Sequence, residues 1–167
     1  MKKLFLLVMI FSFITSFLLA NSLELGSPAP QLEVLTDQGT TLDLGEALSV
    51  GTTLVFFYPK AMTPGCVKQA CSLRDGWDEL QSRNVSIFGV SSDTAKTQAQ
   101  FRDKYTLPFT LLADTDGQIA DAFSKSRWSR QAYIFKDGIL VWRDLKAATS
   151  KQATEILAAL DELEPNS

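Results

Sequence analysis

The chain has 167 residues, with 16 Lys+Arg, 19 Asp+Glu, two Cys and no His. Without histidine it can hold no Ser-His-Asp triad, no Cys-His pair and no imidazole base, and two Cys alone cannot complete a four-ligand structural zinc site. A formal charge of -3 argues against general nucleic-acid binding, which needs a basic face, and the length suits one domain with a sizeable core.

Lys2 and Lys3 form a short positive segment ahead of an apolar run, Leu4 to Ala20, broken only by Ser12, Thr15 and Ser16. This pattern predicts a secretory signal over residues 1–20, and so an exported protein, in a periplasm, a lumen or the extracellular space. The run also reaches the lower limit for a membrane span, and Leu18 is bulky for the third-last position of a cleaved leader. An uncleaved anchor is therefore the rival reading. The leader holds two of the 16 basic residues and none of the 19 acidic ones. Residues 21–167 then read as one acidic domain in a compartment that permits disulfides.

Gln31 to Leu35 is followed by Asp37-Gln38-Gly39, a hairpin signal. Thr53 to Tyr58 is a continuous apolar and β-branched run, as for a strand buried on both faces, and Pro59 ends it. From Pro64 to about Ser82 apolar residues recur at helical spacing. Ser86 to Ser91 reads as a second buried strand, and Asp93 or Thr94 caps a helix to about Tyr105. Leu107-Pro108 precedes a third core strand, Phe109 to Ala113, and a short helix lies within 114–124. Ala132 to Phe135 and Ile139 to Trp142 flank Asp137-Gly138, a strong hairpin signal. Ser150 opens a terminal helix to about Leu163. Strands alternating with helices, then a hairpin and a last helix, describe an α/β fold of thioredoxin type, a central mixed sheet flanked by helices. Trp77, Trp128 and Trp142 read as packing residues, and Asn84-Val85-Ser86 is a weak glycosylation sequon beside a core strand.

The informative segment runs from Tyr58 to Cys71. A buried strand stops at Pro59 and a helix begins at about Pro64, a favoured first-turn position for proline. Cys66 then lies in the first turn, among unpaired N–H groups at the positive end of the helix dipole. Both effects favour thiolate over thiol. With no His, only a helix terminus and an Arg or Lys remain to activate a nucleophilic Cys. The bland alternative is a structural disulfide or two core thiols. Residues five apart on an α-helix have Cα atoms about 8–9 Å apart, beyond the roughly 7 Å limit for a disulfide. A Cys66–Cys71 bond therefore requires the helix start to unwind. Gly76, inside the same predicted helix, either eases that opening or permits close packing.

Pro59-x-x-x-Thr63-x-x-Cys66 resembles the active-site motif of the peroxiredoxins. Thr63-Pro-Gly-Cys66 followed by Cys71 is similar to the bacterioferritin-comigratory, or peroxiredoxin Q, branch. The likeness extends from Gly26-x-Pro-Ala-Pro through Gly89-Val-Ser-Ser-Asp93, Leu107-Pro-Phe-Thr-Leu-Leu112 and Asp116-Gly117 to Arg130-Gln-Ala-Tyr-Ile-Phe135. The resemblance implies a thiol peroxidase that reduces hydrogen peroxide and organic hydroperoxides without a metal or other cofactor. Cys66 is then the peroxidatic and Cys71 the resolving cysteine. Thr63 holds the peroxide through its hydroxyl, Arg130 stabilises the thiolate and the developing oxygen charge, and Pro59 shields the pocket. Arg127 competes with Arg130 for that role but lacks the aromatic-aliphatic run directly after it. A thioredoxin-like dithiol recycles the disulfide, and a monomer suffices because both cysteines lie in one chain.

Three features depart from the family pattern. Lys60-Ala61-Met62 is less polar than usual, Gln69 stands where an acid is common, and the leader puts the identity of the reductant in question. Two further readings stay open: an exported thiol–disulfide oxidoreductase, which usually carries CxxC, and a binding domain with idle cysteines on a thioredoxin-like scaffold.

Overall fold

The computed structural model describes residues 23–126 and 128–164; the predicted leader at 1–20 and Arg127 lie outside the described residues. Its strands are β1 (Glu33–Thr36), β2 (Thr41–Asp43), β3 (Thr52–Phe57), β4 (Val85–Ser91), β5 (Thr110–Ala113), β6 (Gln131–Lys136) and β7 (Ile139–Asp144). Between and after them lie α1 (Leu44–Leu48), α2 (Pro64–Asp75), α3 (Trp77–Ser82), α4 (Ala95–Tyr105), α5 (Gln118–Ala122) and α6 (Gln152–Leu163). The strands form one mixed sheet in the order β2-β1-β5-β4-β3-β6-β7. Its centre, β3, β4 and β5, is parallel. β1 and β6 join that centre antiparallel, each carrying an outer neighbour.

The apolar run in β3 is buried on both faces, as its composition predicts. Side chains alternate across a strand, so Leu54 and Phe56 enter one core cluster while Val55 and Phe57 enter the other. The first cluster is completed from the helices by Cys66, Ala70, Leu73, Leu80, Phe101 and Ile156. The second is closed by α1 and α5 through Leu44, Leu48 and Ile119. Both predicted hairpins form. The tight β6–β7 turn puts Asp137 and Gly138 at φ 48° and 82°, the left-handed pair that Asp-Gly supplies most cheaply. α1 escapes sequence periodicity because it is only one turn long; Asp43 Oδ1 caps it by accepting from Glu46 N at 2.9 Å.

The helix expected from Pro64 to Ser82 is two helices. It breaks at Gly76, whose φ of -91° and ψ of 8° leave the helical path. Packing requires a glycine at this break: a Cβ on Gly76 would lie 2.8 Å from the Ala153 Cβ of α6. Four residues earlier, Ser72 Oγ accepts from Ala153 N at 3.1 Å. That bond caps α6 from another helix, because Lys151 at the N-cap position makes no side-chain cap. α2 and α6 are thus fastened together through Ser72 and Gly76. Gly76→Ala is expected to lower stability by about 1–3 kcal/mol, as overpacking does. Helix propensity alone would give a gain of about 1 kcal/mol, so the sign of the change in a urea unfolding curve decides.

Trp77 and Trp142 pack against the first cluster as expected, but Trp128 is exposed. Its chain segment precedes β6 outside the sheet, so no layer covers it. Among the described residues no helix is long and apolar enough to cross a membrane.

Candidate active site

The site forms where β3 ends and α2 begins. Tyr58 continues the line of β3, its N–H donating to Val90 O at 3.0 Å. Its ring is buried and its hydroxyl donates to Gln98 Oε1. Burial pushes the phenol well above its usual range, so it remains a neutral donor. Pro59 follows, half-buried, and cannot extend the strand. The next turn is pinned from β4's far end: Asp93 Oδ2 accepts from Ala61 N at 2.7 Å and from Ser91 Oγ at 2.7 Å. Of the two predicted caps for α4 it is therefore Thr94 that serves, accepting from Thr97 N at 3.3 Å. Met62 then takes a left-handed backbone, φ 64°, a conformation that non-glycine residues seldom adopt.

Thr63 occupies the N-cap position of α2 with an extended backbone, and Pro64 opens the helix. Its hydroxyl does not cap the helix. Instead Thr63 Oγ1 donates to Lys60 O at 2.9 Å. No side chain caps α2, so its first-turn N–H groups remain at the positive end of the helix. Cys66 is the third helical residue and is 1% exposed.

Arg130, just before β6, reaches this point. Its Nη1 donates to Cys66 Sγ at 3.5 Å and to Gln69 Oε1 at 2.7 Å. Gly65 leaves room for the approach, since a Cβ there would lie 3.1 Å from Arg130 Nη2, tight enough to press on the guanidinium. The structure thus brings Thr63, Cys66 and Arg130 to one helix end, with Pro59 at the start of the same loop. Cys71 lies further along α2, half-buried, and both cysteines are free. The helix runs unbroken between them. Sequence reasoning noticed Gln69 only as a departure from pattern and missed Gln152. Both are fully buried and joined at 2.8 Å, with a sequence separation that no local signal reveals. Among the described residues no group of three or more His, Cys, Asp or Glu could hold a metal ion.

The site is thus a buried thiol at a helix start beside a guanidinium from the segment just before β6, and the chain that carries it has known relatives. Residues 25–143 match the AhpC/TSA family. The peroxiredoxin Bcp of Escherichia coli is 40% identical over 121 residues, covering 71% of this chain and 76% of the relative. The crystal structure of peroxidoxin BcpB from Mycobacterium tuberculosis is 29% identical with a TM-score of 0.78, covering 85% of this chain and 99% of that one. A bacterioferritin comigratory protein of Xanthomonas campestris, studied for alkyl peroxide reduction, is 25% identical with a TM-score of 0.73, covering 79% and 91%. This chain belongs to the AhpC/TSA family, as a peroxiredoxin of the bacterioferritin-comigratory, peroxiredoxin Q kind.

Proposed function

We propose that Cys66 is the peroxidatic nucleophile of this thiol-dependent peroxidase and Cys71 its resolving partner. The observation that carries the assignment is the 3.5 Å contact between Arg130 Nη1 and Cys66 Sγ. The Cys66 thiolate attacks one peroxide oxygen, forming an S–O bond as the O–O bond breaks. Sulfur is oxidised to sulfenic acid, and the other oxygen leaves as water or an alcohol after taking a proton. Negative charge moves from sulfur to oxygen during this step. Arg130 and the uncapped N–H groups of α2 stand where both charge positions can be stabilised without reorganisation. Thr63 turns its hydroxyl from Lys60 O to hold the peroxide, and Pro59 keeps water from the same face.

Cys71 then attacks the sulfenic sulfur, forming the disulfide and releasing water, and an external dithiol reduces it by exchange. The step requires the start of α2 to open, because its cysteines stand five residues apart on a continuous helix. Both cysteines lie in one chain, so the cycle closes within a monomer. The basic-apolar pattern of residues 1–20 supports export, and the dithiol donor is then a thioredoxin-like protein of the same compartment. Mass spectrometry after one equivalent of peroxide is expected to find sulfenic acid on Cys66 in Cys71→Ser and a Cys66–Cys71 disulfide in the wild type. An unmodified Cys66 thiol would refute the assignment.

A further inference from the structure

Arg130 holds Cys66 through a guanidinium that is itself held. Arg130 Nη1 donates to Gln69 Oε1 at 2.7 Å, and Gln69 Nε2 donates to Gln152 Oε1 at 2.8 Å. Both glutamines are fully buried. A continuous row of polar groups therefore runs from the thiol to the first residue of α6.

The direction of each amide decides whether the row works. A guanidinium only donates, so it needs Gln69 Oε1 toward it. With the amide turned over, two donors would face each other across a buried contact. The other acceptor for Gln69 Nε2 is Phe57 O at 3.5 Å, a length at which a hydrogen bond is weak. The strong acceptor is Gln152 Oε1. Gln152 is oriented the same way although this leaves its own Nε2 buried without a partner, an arrangement that is unfavourable by itself. The three groups align head to tail, so each bond polarises the next.

We infer that Gln152 is a positioning residue for the peroxidatic site: by accepting from Gln69 Nε2 it locks that amide with Oε1 toward Arg130, and so holds the guanidinium against Cys66. Because both intermediates are neutral amides, the positive charge of Arg130 is not consumed by a carboxylate and stays available to sulfur. α6, far along the chain, becomes part of the reaction centre. This rests on reading Cys66 as the nucleophile.

The test uses the full reduced chain and reads the thiol directly, as iodoacetamide alkylation of Cys66 at pH 6 followed on the Cys66 peptide, with thermal melting alongside. Gln152→Met, similar in size and without the acceptor, is expected to slow alkylation about tenfold, the scale of one lost hydrogen bond in a charged row. Gln152→Glu keeps an acceptor toward Gln69 and is expected to stay within about threefold of wild type. Combined with Gln69→Met, Gln152→Met should add no further loss, since it acts only through Gln69. Wild-type alkylation in folded Gln152→Met, or additive losses in the double variant, would overturn the inference. Should Gln152→Met fail to fold, wild-type alkylation in folded Gln69→Met overturns it equally, because Gln152 acts only through Gln69. Alkylation needs no peroxide, so the positioning role can fail while Cys66 still proves essential for turnover, and the reverse.

Discussion

Cys66→Ser is expected to reduce thiol-dependent peroxide consumption by about a thousandfold or more, the scale of losing an enzyme's nucleophile. A serine hydroxyl beside Arg130 has no comparable tendency to ionise, and no histidine exists in the chain to take its proton. The substitution is small and the site buried, so the fold should persist and circular dichroism should be unchanged. Cys71→Ser separates the two steps: one equivalent of peroxide is still consumed at the wild-type rate, while turnover with a dithiol donor slows. Equal turnover by wild type and Cys66→Ser would sink the proposed cycle. Faster reduction of insulin than of peroxide by the wild type would instead favour a thiol–disulfide oxidoreductase.

The second large effect is expected at Arg130. Arg130→Met removes the donor to Cys66 Sγ and leaves Gln69 Oε1, now bonded at 2.7 Å, without its partner. Loss of a preorganised donor where charge develops lowers rates about 10²–10³-fold. The unpaired buried amide costs about 1–3 kcal/mol of stability besides. Arg130→Lys should recover only part of the rate. An ammonium is a point charge on a flexible stem, whereas one planar guanidinium nitrogen serves Cys66 and Gln69 together. Second-order rate constants for hydrogen peroxide, measured by competition with a second peroxidase, check both variants. A loss under about threefold in folded Arg130→Met would show that the helix terminus alone activates the thiol.

Much of this architecture is legible in the sequence because its signals are local. The doubly buried β3 shows as an unbroken apolar run, and the β6–β7 hairpin shows as Asp137-Gly138. The site shows as a proline at a helix start between Thr63 and Cys66, with an arginine just ahead of a core strand. What escaped depends on pairs distant in the chain. Gly76 reads as helix interior until Ala153 is placed against it. Asp93 reads as a cap until Ala61 N is found beside its carboxylate. Gln69 and Gln152 are polar residues on helices, which composition assigns to the surface, yet Gln69 is fully buried with Arg130 and Gln152 as its partners, and Gln152 is fully buried with its Oε1 paired to Gln69. Hydrogen-bond partners contributed from afar can reverse the burial that polarity predicts.

The fastening of α2 to α6 turns the proposed cycle into a race between two clocks. Ser72, the residue after Cys71, holds Ala153 N, and Gly76 sits against the Ala153 methyl. These contacts hold the end of α2 against α6, and the opening that the proposed cycle requires then falls to the turns that carry the cysteines. Once Cys66 is a sulfenic acid, it either meets Cys71 when those turns open or meets a second peroxide and passes irreversibly to sulfinic acid. Local opening rate, set by how firmly the short free stretch is held, then determines the peroxide concentration at which the enzyme begins to inactivate itself. Within the proposed cycle, a helix-packing contact made by a hydroxyl and a missing methyl group would set that threshold.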